Sequence, residues 1–412
     1  MSVAASAENM VVVTGVGAVS SYGAGVDALW TGLRSGQTCI AGFERFDHAR
    51  HRTHLAAEVP ERARYAAAGP KPARRLTLVD RFALSAAEEA LAAAGEGALT
   101  QGRAGVFFGT STGGLYESEH YFAKRIGAEP GRAHIDTLAA QQCNGPGDTL
   151  ARRFGVTGPV VSISSACTSG ALAIAAALDA LHDGEIEVAL AGGADSLCQI
   201  TYAGFNSLKA MDPCPCRPFR EDRAGLSLGE GGAVLVLERA SRALARSSPP
   251  IATLLGAGSS CDAHHMTAPV PDGSGACRAM REALRSAGVP PGEVAFVNLH
   301  GTGTPLNDAA EWEALSKLFG ARVLAVPVTA TKGALGHLLG AAGAIEAVAT
   351  VLCLSHGEVH PTPGGGPVDP ATPARLVLDA PLPVPGARFA LSVNLAFGGS
   401  NSALLFGRWA PS

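Results

Sequence analysis

Short runs of β-branched and bulky apolar residues alternate along the chain with Ala/Leu-rich stretches whose apolar positions recur at helical spacing. That rhythm belongs to parallel strands joined by crossover helices. It predicts strands at Met10–Thr14, Gly105–Phe108, Val160–Ser164, Val188–Ala191 and Ala233–Leu237 in the first part of the chain. In the second part it predicts Ile251–Ala257, Val294–Leu299, Ala325–Val328, Leu376–Leu378, Phe389–Val393 and Ser402–Leu405. Helices are expected over Asp80–Ala94, Ser169–His182, Gly275–Ala287, Asn307–Leu318 and Leu338–Leu354. Within Gly275–Ala287, the residues Ala276, Cys277, Met280, Ala283, Leu284 and Ala287 form one face, and Gly288 with Pro290 stops the helix.

Pro249–Pro250 is the best link between two halves of similar rhythm, 1–250 and 251–412. An internal duplication is expected on rhythm, although no residue string repeats. The tract His360–Pro370 reads as an extended surface loop.

Composition narrows the class. Of 412 residues 47% are apolar, 17% are charged and 51 are glycine, which describes a chain with a large core and many tight turns. With 32 Lys+Arg against 36 Asp+Glu the net charge is −4, which argues against a nucleic-acid binder or a polybasic membrane protein. Nine cysteines are an odd set for a disulfide framework, so reduced thiols are expected. The N-terminal MSVAASAENMVVVTG lacks a basic leader, and no apolar run looks long enough to span a bilayer. The expectation is a soluble cytoplasmic protein.

Three segments carry candidate chemistry. In VVSISSACTSGALAIAAALDALH a strand runs into Cys167 and a helix starts just after it. A thiol there sits at the positive end of a helix, which favours thiolate below the usual pKa of about 8.5. The alternative is a buried core cysteine. In VAFVNLHGTGTPLNDAAEWEAL a strand ends at His300, and Asp308 and Glu311 follow on one helix face. The Gly-Thr-Gly-Thr loop between them, with Thr302 and Thr304, has hydroxyls and amides suited to a polar ligand arm; a structural histidine and a solvated acidic face are the alternative. In VTATKGALGHLLGAAGAIEAVATVL, Lys332 and His337 share a loop opening a long helix. His337 at a helix N-terminus is expected to stay neutral, and Lys332 needs carboxylate partners, for which Asp308 or Glu311 would serve. Near the C-terminus, Phe397 precedes Gly398 and Gly399, whose freedom could aim N–H groups at an anionic oxygen; an ordinary glycine turn is the alternative. Gly15-Val-Gly17 lacks the third glycine of a dinucleotide loop, and Cys214-Pro-Cys216 has no second ligand pair for zinc, so neither a nucleotide cofactor nor a metal is expected.

Taken together, SSACTSG, HGTGTP, TKGALGHLLGAAG and FGG, with CRPFREDRAGLSLGEGGAVLVLE and SSCDAHHMTAP, resemble the β-ketoacyl-acyl carrier protein synthase family over nearly all of residues 10–407. The resemblance implies an α/β thiolase-like fold of two similar βαβαβαββ halves in five αβαβα layers, usually dimeric. It implies that Cys167 takes an acyl chain from acyl carrier protein as a thioester. His300 and His337 would assist decarboxylation of the malonyl partner, with Lys332, Glu311 and Asp308 tying the site together. The amides of Cys167 and Phe397 would form an oxyanion hole, with Phe397 also a gate, and Thr302 and Thr304 would hold the phosphopantetheine arm. That arm comes with the carrier protein, so no resident cofactor is implied.

This sequence departs from the family pattern beside the gate, where Val393, Leu395 and Ala396 replace Asn, Phe and Gly. Alignment also places Thr112, and Thr137 from the dimer partner, at acyl-pocket positions often filled by larger residues. A roomier or more polar pocket is expected, which favours a type II polyketide or polyene ketosynthase over a fatty-acid elongation enzyme. Such a chain works as a homodimer or as a heterodimer with a homologous chain-length factor. A noncatalytic chain-length factor is the remaining alternative, and the complete Cys167, His300, Lys332 and His337 set argues against it. Lys71, Arg74 and Arg75 form a basic cluster suited to an acidic carrier protein.

Overall fold

The structure is a computed structural model and describes residues 10–64, 76–100, 102–126, 135, 138 and 141–410. Thr137, Lys71, Arg74 and Arg75 lie outside the described residues. Ten strands form the main sheet: β1 (Val11–Ser20), β2 (Ala104–Gly109), β3 (Val160–Ile163), β4 (Val188–Asp195), β5 (Gly231–Arg239), β6 (Ala252–Cys261), β7 (Val294–Asn298), β8 (Val328–Thr329), β9 (Phe389–Leu395) and β10 (Ser400–Arg408). An eleventh, Gly23–Ala24, pairs with the end of β1. The spatial order is β8-β7-β9-β10-β6-β1-β5-β4-β2-β3. Numbered within its own half, each half reads 3-2-4-5-1, with the same parallel and antiparallel pairings. The duplication expected from rhythm is therefore present in the topology.

Six helices build the layers: α1 (Leu78–Ala94), α2 (Gly145–Phe154), α3 (Ser169–His182), α4 (Ser274–Ala287), α5 (Pro305–Phe319) and α6 (Ala342–His356). The outer layers are α1 and α2 on the first half and α4 and α5 on the second, while α3 and α6 pack on strands of both halves and on each other. Their Ala-rich faces make the central apolar cluster. α1 starts where Thr77 and Asp80 form a reciprocal capping box.

β1 and β6 run well past their predicted ends because the glycines that seemed to end them are there for packing. A Cβ on Gly15 would come within 2.0 Å of the Ala90 carbonyl oxygen of α1, and one on Gly17 within 1.9 Å of that of Ala86. Gly256 and Gly258 meet Ala283 and Ala279 of α4 in the same way, at 2.3 and 2.1 Å. The first pair is thus a helix-on-sheet contact rather than a nucleotide loop, and its counterpart in the second half is the repeated string that rhythm alone did not reveal.

Three expectations are corrected. Gly320–Ala325 is a 3₁₀ turn, so the strand begins only at Val328, and Leu376–Leu378 contributes a single bridge to it. The predicted helix Leu338–Leu354 is a 3₁₀ turn, Leu339–Ala341, followed by α6; together they make an apolar stretch of 18 residues, long enough to cross a membrane yet 89% buried as the central layer. The tract from His360 begins buried, with Thr362 Oγ1 accepting from the Ala330 N–H at 2.9 Å, and it reaches the surface only from Gly364 onward.

Candidate active site

Cys167 lies between β3 and α3 on a tight turn whose preceding residue, Ala166, has φ 46°. Left-handed backbone at an alanine is strained and persists only when neighbours hold it. Here the Ala166 carbonyl accepts from Ser169 Oγ at 2.6 Å and from Ser111 Oγ at 2.9 Å. Burial dominates the electrostatics of the thiol, pushing it up to about 11 against the opposing pull of Lys332 and of the Phe397 N–H aimed at the sulfur. The thiolate expected from helix position is therefore corrected: the resting group is a thiol, since desolvation outweighs the helix end.

His300 lies two residues beyond β7 and His337 follows the one-turn helix Lys332–Leu335; their rings stand 5.3 Å apart at 85°. One ring nitrogen from each and the Cys167 sulfur lie within 4.8 Å of one another. Lys332 Nζ lies 3.0 Å from His300 Nδ1, and an ammonium can only donate. The Leu339 N–H donates to His337 Nδ1 at 3.0 Å. Both rings consequently carry their proton on Nε2. The Nε2 of His337 is buried without a partner among the described residues. Burial, with Lys332 adding repulsion, holds both imidazoles well below the usual histidine range, so both are neutral donors. A metal ion would need the Nε2 lone pairs, which would put Nδ1–H against Lys332 and against the Leu339 N–H. The cluster is built to donate hydrogen bonds, not to ligate.

The partner of Lys332 differs from the one expected. Its ammonium pairs with Glu346 of α6 at 2.5 Å, both 1% exposed, and Asn394 Nδ2 donates to the other Glu346 oxygen at 2.5 Å. Glu311 instead accepts from the His300 and Gly301 N–H groups, both at 2.7 Å. Asp308 accepts from the Phe219 and Gly303 N–H groups at 2.8 and 3.2 Å and faces Arg223 at 3.4 Å. These two carboxylates shape the backbone that presents His300. Glu346 and Asn394 were missed, although a lone carboxylate inside an otherwise apolar helix is a signal that a cation must face it.

A cavity of about 300 Å³ opens onto Cys167, His300, His337, Thr302, Thr304 and Phe397. Thr302 and Thr304 bond each other at 2.9 Å, and the Phe397 ring stacks on Phe205, centroids 5.6 Å apart. Gly398 and Gly399 do not line it. Their N–H groups are spent on Met266 and Ala396 carbonyls, so they form the turn that frees the Phe397 N–H. Nor does Thr112 line it: its hydroxyl donates to Asp195 at 2.7 Å.

Comparison with known proteins identifies the family. Residues 8–243 match the beta-ketoacyl synthase N-terminal domain and residues 251–365 its C-terminal domain. A 3-oxoacyl-[acyl-carrier-protein] synthase 2 of Synechocystis is 34% identical, covering 97% of this chain and 98% of that protein. Among solved structures, the ishigamide ketosynthase/chain length factor superposes with a TM-score of 0.92 at 32% identity, covering 97% of this chain and 99% of that one. A type II polyketide ketosynthase in complex with its acyl-carrier protein gives 0.88 at 26% identity, covering 97% and 99%. The fold is thus the thiolase-like ketosynthase fold, and the chain belongs to the beta-ketoacyl synthase family as a condensing acyltransferase of the 3-oxoacyl-[acyl-carrier-protein] synthase type.

Proposed function

We propose that the protein is the ketosynthase of a type II polyketide or polyene system, joining a Cys167-bound acyl chain to malonyl-acyl carrier protein. The observation that carries the two-step chemistry is the pair of neutral imidazoles with Nε2–H groups beside a buried thiol. In the first step the Cys167 sulfur attacks the thioester carbonyl, the Cys167 and Phe397 N–H groups hold the oxyanion, and the thiol proton leaves on the departing pantetheine sulfur. In the second, His300 and His337 donate to the malonyl thioester oxygen. The bond to the carboxylate breaks, carbon dioxide leaves, and the enolate carbon attacks the acyl-Cys167 carbonyl. Cys167 departs as thiolate and recovers a proton from solvent. Thr302 and Thr304 hold the phosphopantetheine arm, which the carrier protein supplies, so the enzyme needs no resident cofactor.

Support for the pathway comes from the likeness to the ishigamide ketosynthase/chain length factor and from Leu395 and Ala396, which flank the cavity beside Phe397. Support for a partner of the same fold comes from β3, which stands last in the strand order of the sheet and carries Val160 at 37% exposure. The second reading, fatty-acid elongation, is favoured by the Synechocystis relative. Intact-protein mass spectrometry with acyl-carrier proteins of graded length and unsaturation, then malonyl-carrier protein, separates them. Preference for unsaturated or polar acyl donors is expected. Preference for saturated donors alone would move the enzyme to fatty-acid elongation, and no acylation of Cys167, even with a chain-length factor added, would overturn the condensing mechanism.

A further inference from the structure

Asp195, the last residue of β4, is fully buried and has no part in the chemistry above. One carboxylate oxygen accepts from Thr110 Oγ1 at 2.5 Å, Thr112 Oγ1 at 2.7 Å and the Thr112 N–H at 2.9 Å. The other accepts from the Ser111 N–H at 2.9 Å and the Gly340 N–H at 2.6 Å. Two of these donors lead to reacting groups. Ser111 also holds the carbonyl of Ala166, the strained residue before Cys167. Gly340 follows Leu339, which has φ 53° and whose N–H fixes the tautomer of His337. Two non-glycine residues in left-handed backbone, one beside the thiol and one beside the imidazole, are thus tied to one carboxylate from opposite sides. A Cβ on Gly340 would lie 2.6 Å from the Ser111 nitrogen and 2.7 Å from an Asp195 oxygen, so the two turns are already in close contact around it.

We propose that Asp195 is a positioning residue that sets the distance between nucleophile and imidazole by holding both strained turns, so that acylation and decarboxylation depend on it together. The proposal rests on the two-step mechanism above. Asn in its place keeps the shape but turns an amide N–H toward donors. Acylation of Cys167, read by intact mass, and carbon dioxide release from malonyl-carrier protein are measured separately, with circular dichroism and melting temperature as the structural control. Asp195→Asn is expected to slow both half-reactions at least about tenfold. Ser111→Ala, which cuts only the arm to Ala166, is expected to slow acylation by about that factor and to leave carbon dioxide release within about twofold. A folded Asp195→Asn with both rates near wild type, or Ser111→Ala with unchanged acylation, would overturn the proposal, and the second result decides the matter even if Asp195→Asn does not fold. Wild-type enzyme that neither acylates nor releases carbon dioxide would instead count against the two-step mechanism.

Discussion

At the scale of the residue, burial governs the site more than any single charge. Alkylation of Cys167 by iodoacetamide is expected to keep accelerating beyond pH 9, because burial raises the thiol to about 11; a plateau near pH 8 would mean that the helix end prevails. Lys332 and Glu346 form a buried pair, so Glu346→Ala leaves an uncompensated ammonium and is expected to cost about 3–5 kcal/mol in urea unfolding, together with activity. Lys332→Met combined with Glu346→Leu should recover much of that stability and none of the turnover, since His300 Nδ1 then lacks its donor. Glu311 is raised to about 8 by burial. The folded state therefore binds its proton more readily than the unfolded chain, and this stabilisation is complete below about pH 4.5 and lost as pH rises through 8. The depressed histidines act oppositely: their contribution is present above about pH 6.5 and lost on acidification. Global stability is expected to fall between pH 6.5 and 8, and Glu311→Gln should flatten that slope in a series of urea titrations.

Elements position these residues through contacts that hydrophobic pattern does not encode. α4 was legible to within one residue because one apolar face and a glycine stop coincide, whereas β1 and β6 were cut short because Gly15 and Gly17 in one and Gly258 in the other read as strand breakers. Their small size serves the approach of α1 and α4, where the colliding atoms would be backbone carbonyls that cannot swing aside. Gly15→Ala and Gly256→Ala are each expected to lower stability by about 1–3 kcal/mol or more, as overpacking does. The same substitution at Gly204, with nothing within 4 Å of its Cβ, should be close to neutral. Loss of stability at Gly204 equal to that at Gly15 would show that helix-on-sheet contact is not the cause.

For the whole molecule, the two halves share one strand order, yet neither holds a complete core. α3 from the first half and α6 from the second bury their faces against each other and against strands of both halves. Residues 1–250 and 251–412 produced separately should therefore be insoluble or molten, and only their co-expression should yield Cys167 acylation; an independently folded half, seen as a cooperative melt, would refute this. The nucleophile comes from one half and His300, Lys332 and His337 from the other, so the cavity exists only in their union. Local sequence was enough for the alternation of strand and helix, the small-residue turn around Cys167 and the short motifs bearing each histidine, because backbone preference and side-chain chemistry are properties of neighbouring residues. The pairing of Lys332 with Glu346, the transfer of Asp308 and Glu311 to backbone support, the protonated resting thiol and the junction at Asp195 depend on desolvation and on groups far apart in the chain. Those quantities take values only after the halves close and exclude water, which is why they appear in the folded molecule and not in the order of its residues.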